Sequence, residues 1–193
     1  MKKSFVPSIL ALVFCLGFSV NAQAASQQGG SMAPDRVGRW DLGLGVANGS
    51  NSDSDDAAFI YGQVSYGVTP YIGLGVEAGW EESDSDRSTN DTIGVVPVMA
   101  DIIVRVPTVH ESLVPYGILG LGGAGVYIER DNQDDEDDTG FAWKLGAGFD
   151  WFINNNWIFN FEFAYWNADV TIPRVQIEDF DWWTVGVSLK YVF

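Results

Sequence analysis

The sequence predicts an all-β protein, an eight-stranded antiparallel up-and-down transmembrane β-barrel. Three observations predict it. The chain opens on an export signal; its later apolar residues recur with a period of two and never in a run long enough for a membrane helix; and the connections between alternating segments are short and long by turns.

The export signal comes first. Lys2 and Lys3 precede an apolar run from Ile9 to Val20 that ends at Ala22-Gln23-Ala24. A positive start, a short apolar stretch and small residues before the cut are the parts of a secretory signal peptide, with cleavage expected after Ala24. Cys15 is the chain's one cysteine, and Phe14 before it is not the small residue a lipoprotein site needs. The exported chain thus has no thiol for a disulfide, metal or cofactor, and none is expected. The predicted organisation is a signal peptide over 1–24, a polar, flexible periplasmic leader over 25–38, and a barrel over 39–193.

Charge narrows the partners. The formal charge of −16 becomes −18 once Lys2 and Lys3 leave with the signal, which carries no acid. That excludes nucleic acid as an expected partner. Such acidity beside eight Trp and twelve Phe is contradictory in a globular chain. It is coherent if acidic loops stand in water while aromatic strands stand in lipid.

The strands follow in order. Arg39 to Asn48 puts Trp40, Leu42, Leu44 and Val46 outward and Asp41, Gly43 and Gly45 inward; Ala57 to Val68 is the second. Tyr71 to Trp80 sets Ile72, Leu74, Val76, Ala78 and Trp80 against Gly73, Gly75, Glu77 and Gly79. Thr92 to Val106 contains Pro97, and a bulge is expected there because a closed barrel has no free edge for a residue without an N–H. Val114 to Glu129 is rich in glycine, so its facing is not assigned.

The clearest alternation lies in the last three. Phe141, Trp143, Leu145, Ala147, Phe149 and Trp151 alternate with Ala142, Lys144, Gly146, Gly148 and Asp150. Trp157, Phe159, Phe161, Phe163 and Tyr165 alternate with Ile158, Asn160, Glu162, Ala164 and Trp166. From Trp182 to Phe193, Trp183, Val185, Val187, Leu189, Tyr191 and Phe193 form the bulky side. Outer faces are bulky and inner faces slim, although a soluble sandwich would share the alternation itself.

Connections check the count. Gly49 to Asp56, Glu81 to Asp91, Arg130 to Thr139 and Asn167 to Phe180 are long; Thr69-Pro70, Pro107 to Leu113 and Asn154 to Asn156 are shorter. An even strand number returns both termini to the periplasm and turns all the long loops outward.

The final stripe of Val185, Val187, Leu189, Tyr191 and terminal Phe193 resembles the C-terminal assembly signal of outer-membrane barrels. From about Arg39 onward the chain resembles the small barrel family of OmpA-type and OmpX-type proteins, including the starts Pro70-Tyr71 and Pro115-Tyr116. That resemblance implies residence in the cell outer membrane, contact with lipid and lipopolysaccharide, and insertion by the barrel-assembly machinery. Trp80, Phe141, Trp151, Trp157, Tyr165, Tyr191 and Phe193 are expected to sit in interfacial girdles.

A barrel of this size has an interior that side chains fill. Asp41, Glu77, Asp101, Arg105, Lys144, Asp150, Glu162 and Lys190 are expected inside it, where opposite charges must pair to replace lost hydration. Such a network would close the lumen; an ion path through it is the alternative. Enzyme function is not expected, because the one histidine, His110, falls on a periplasmic turn and no nucleophile and base come together. Acidic loops, including Asp53, Asp55, Asp56, Asp86, Asp131, Asp134, Asp135, Glu136, Asp137 and Asp138, form an anionic rim that divalent cations can bridge to lipopolysaccharide. No loop has EF-hand spacing. The reading is a non-enzymatic barrel of the outer membrane with an acidic surface, against a narrow channel or calcium-dependent adhesion.

Overall fold

The computed structural model describes residues 36–51, 57–84, 91–106, 112–130, 136–172 and 177–193. The signal peptide with its cut after Ala24, the leader up to residue 35, His110 and the loop acids Asp53, Asp55, Asp56, Asp86, Asp131, Asp134 and Asp135 lie outside the described residues.

Eight strands form a ring: β1 (Trp40–Asn51), β2 (Ala57–Gly67), β3 (Ile72–Asp84), β4 (Asp91–Arg105), β5 (Leu113–Arg130), β6 (Glu136–Phe152), β7 (Trp157–Ile172) and β8 (Ile177–Val192). Each pairs antiparallel with the next, and β8 returns to β1 from Asp41↔Val192 to Asn51↔Trp182, which closes the barrel. Closure pairs backbone groups that hydrocarbon could not satisfy. Among the described residues no helix is long and apolar enough to cross a membrane.

The pleat sorts the side chains. Leu44, Leu145 and Phe141 are 63%, 58% and 57% exposed on the outside, while Lys144 and Glu77 are 0% and 2% exposed within. That inversion decides against a soluble sandwich, which would bury the first set and hydrate the second. On β6 to β8 the outer rings touch across strands: Phe149–Phe161 at 5.2 Å, Phe163–Trp183 at 5.0 Å and Trp157–Tyr191 at 5.0 Å between centroids. Aromatic cover on these strands extends from the Trp157–Tyr191 pair up to the Phe163–Trp183 pair.

β5 resolves once its partners fix the register. Tyr116, Ile118, Ala124, Val126 and Ile128 are buried inside and Leu119 and Leu121 face out, so its glycines fall on both faces. Gly94 of β4 pairs with Tyr127 and lies under its ring, which lets the Tyr127 hydroxyl accept a hydrogen bond from Trp80 Nε1 at 2.9 Å.

The bulge expected at Pro97 is not there. Pairing of β3 with β4 runs to Ala78↔Val98 and resumes at Glu81↔Val95 in the same register, while β5 pairs through Pro97↔Ala124 without a break. The missing N–H is absorbed by a gap opposite Gly79 and Trp80, because the continuous β5 ladder holds the strand in step. The register shift among the described residues lies instead between β7 and β8, at Ala168 to Thr171.

Strands also outrun their apolar parts. β5, β6 and β7 have 18, 17 and 16 residues, against roughly 9–11 for a tilted membrane strand. Glu81, Glu82, Asp137, Asp138 and Asp169, expected in loops, are therefore strand residues. Acidic residues end the hydrophobic alternation there, Glu81 on the inside and Glu82, Asp137 and Asp169 in water, but backbone pairing continues; Asp138 Oδ2 even accepts the Thr171 N–H at 2.7 Å.

Candidate functional site

The lumen is the candidate site, and it is built in layers from the end where β1 begins and β8 ends, the terminal mouth, to the end that carries the long loops. At the terminal mouth Phe152, Ile158 and Val192 form an apolar floor, and the Arg36 guanidinium lies 5.1 Å from the Phe152 ring centroid. Gly38, with φ of 74°, adopts the left-handed backbone that turns the chain from Arg36 into β1. Gly38 N–H donates to the Gly67 carbonyl at 2.8 Å and Gly67 N–H to the Arg39 carbonyl at 3.0 Å. Residues 36–38, assigned by sequence to the leader, are thus docked against β2.

Above that floor Asp150 gathers cations. Arg36 Nη1 lies 3.0 Å and Arg105 Nε 3.8 Å from Asp150 Oδ2, and Lys190 Nζ 3.4 Å from Oδ1. Arg36 Nη2 also lies 3.7 Å from Asp41, whose Oδ1 accepts the Ser65 hydroxyl at 2.7 Å.

The middle layer reverses the signs. Lys144 Nζ stands 3.0 Å from Glu77, 3.4 Å from Glu162 and 3.7 Å from Asp101. A polar bridge joins the layers: Tyr116 O–H donates to Glu162 Oε2 at 2.7 Å, and Asn160 Nδ2 donates to Tyr116 Oη at 2.8 Å and Asp150 Oδ1 at 2.9 Å. The network residues inferred from sequence thus fall into two clusters: Glu77, Asp101, Lys144 and Glu162 in one, Arg105 and Lys190 with Asp41 and Asp150 in the other.

The loop half is apolar. Trp166 and Trp182 stack at 5.4 Å, Phe59 meets Trp166 edge-on at 5.7 Å, and Val95, Met99, Val126 and Ile128 fill the remaining width. Lys144 Nζ lies 4.8 Å from the Trp166 ring, so this plug also caps the central charge. A void of about 10 Å³, the size of one water, remains between Tyr61, Glu77, Glu162 and Trp166. The inner face is therefore not slim throughout, as alternation suggested. Sequence reasoning missed Arg36, which no periodicity marks, and the plug, whose signal was the inward parity of Trp166 and Trp182.

Outside, Val185, Leu189 and Phe193 are exposed, and Val187 and Tyr191 half-exposed, in one stripe along β8. Arg39 Nε donates to the Phe193 carbonyl at 3.0 Å and ties this last residue to the start of β1.

The model of the outer membrane protein beta-barrel domain matches residues 10–193. The chain belongs to that family. This outer membrane barrel also shares its fold with solved relatives: Neisserial surface protein A aligns with a TM-score of 0.63 at 12% identity, over 79% of this chain and 95% of that one. The N-terminal β-barrel domain of Pseudomonas aeruginosa OprF aligns with a TM-score of 0.58 at 13% identity, over 81% and 98%. Ail, the attachment invasion locus protein of Yersinia pestis, in complex with the heparin analogue sucrose octasulfate, aligns with a TM-score of 0.57 at 15% identity, over 81% and 99%. At these identities the likeness is of fold. No curated protein matches the chain in sequence.

Proposed function

We propose that this outer membrane barrel is a non-enzymatic, non-conducting structural protein of the envelope. It is exported by a signal cut after Ala24, keeps its termini in the periplasm and displays its long loops outside. The single observation that carries the reading is the filled lumen: the Trp166–Trp182 stack, the Lys144 cluster and the Asp150 cluster follow one another along the axis. Each layer alone narrows the bore, and a hydrated ion would have to displace all of them. The stripe of Val185, Val187, Leu189, Tyr191 and Phe193 serves as the handle for the assembly machinery.

At the loop end Glu82, Asp137, Asp169 and Asp181 are exposed, on a chain of formal charge −16. Such a rim favours divalent cations shared with lipopolysaccharide and repels a sulfated ligand of the kind seen with Ail. Planar-bilayer recording tests the main reading. A silent bilayer is expected; reproducible conductance steps that change on Arg105→Gln or Lys144→Met would overturn it.

A further inference from the structure

Among the described residues of the terminal layer, positive charge exceeds negative by one: Arg36, Arg105 and Lys190 face Asp41 and Asp150. Two of these cations crowd a single atom, since Arg36 and Arg105 lie 3.0 and 3.8 Å from the same Asp150 oxygen. In a poorly hydrated lumen their mutual repulsion is stronger than in water. Their donors are also unmet. Arg36 Nε and Nη2 and Arg105 Nε and Nη1 are buried with no hydrogen-bond acceptor among the described residues, on side chains only 6% and 4% exposed.

The neighbouring carboxylates are already engaged, Asp41 by Ser65 and Asp150 by Asn160. Gly73 and Gly43 let the Arg105 guanidinium and the Lys190 stem lie directly against the wall, which holds both cations in this layer. Buried charged donors without acceptors are strongly unfavourable, and one more acceptor of unit negative charge would meet them and neutralise the layer.

We infer that the terminal mouth of the lumen is a binding site for one small inorganic anion of chloride type, seated between Arg36 and Arg105. The layer beyond sets its limit. Lys144 faces Glu77, Asp101 and Glu162 there, an excess of two negative charges, so an anion that enters from the terminal end stops at the first layer. The site binds without passing its ligand on, and it rests on this geometry whether or not the barrel conducts.

The test uses the folded barrel in a zwitterionic detergent, with chloride exchanged for gluconate at constant ionic strength. Expected are broadening of the chloride-35 NMR line and a saturable rise of roughly 5 °C in the unfolding temperature. Arg36→Gln abolishes both, whereas Arg39→Gln, whose guanidinium is held at the β1–β8 seam by the Phe193 carbonyl and has no part in the Asp150 cluster, preserves both. An equal response to chloride and gluconate, or an undiminished chloride response in Arg36→Gln, overturns the site. Should Arg36→Gln fail to fold, Asp150→Asn decides: removal of the competing carboxylate tightens chloride binding if the site exists, and an unchanged or weaker chloride response refutes it.

Discussion

Replacing Lys144 by Met tests whether the middle layer is held by charge or by packing. The side chain is 0% exposed, and its ammonium is the one cation within 4 Å of Glu77, Glu162 and Asp101 among the described residues. Methionine keeps most of the volume and a favourable contact with the Trp166 ring, so the cavity contribution is small. What is lost is compensation for three buried carboxylates. Breaking a buried ion pair from one side costs about 3–5 kcal/mol. For a domain of this length each kcal/mol lowers the unfolding temperature by roughly 2–4 °C, so we predict a fall of about 6–20 °C.

Glu77→Gln is milder, about 1–3 kcal/mol, because Lys144 keeps two partners. The double variant Lys144→Met with Glu77→Gln falls short of the sum by about 0.5–3 kcal/mol, since Glu77 no longer needs its cation. Urea unfolding in micelles, followed by tryptophan fluorescence, measures all three. A Lys144→Met barrel within about 0.5 kcal/mol of the parent, or strict additivity in the double variant, would refute the electrostatic account.

Two further outcomes follow from packing. A Cβ on Gly67 would collide with the Arg36 carbonyl oxygen, so Gly67→Ala drives residues 36–38 from the mouth; trypsin should then cut after Arg36, which is sheltered in the parent, and an unchanged digestion pattern would contradict the docking. Trp166→Ala removes a ring 1% exposed that contacts Phe59, Trp182 and Lys144; a loss of about 3–5 kcal/mol is expected by urea unfolding, and a loss under about 1 kcal/mol would show that the loop half is not a packed plug.

Much of this architecture is legible in the residues, and the reasons are uneven. β6, β7 and β8 declare themselves because aromatic rings on one face alternate with Gly, Ala, Lys or Glu on the other. β5 does not, because glycine suits a crowded inner wall, as Gly120 does beside Asp101 and Lys144, as well as an outer one, as Gly94 of the neighbouring β4 does under Tyr127. Strand ends toward the loops are hidden because the lipid that enforces alternation stops before the backbone ladder does. The inward charges Glu77, Asp101, Arg105, Lys144, Glu162 and Lys190 could be placed by parity, yet parity does not say which of them share a layer. That depends on strand tilt, which brings Lys144 of β6 to Glu77 of β3 across the bore.

The seam between β1 and β8 joins the two extremes of the chain. Asp150 on β6 likewise waits for Arg36 beside β1 and for Lys190 on β8. Until that seam closes, these ions remain wet and the curling sheet cannot sink fully into oil. Closure of the β1–β8 seam therefore does more than complete a ladder. It dehydrates and marries the ions in one stroke, so an unfinished cylinder is marked by its own stranded charge.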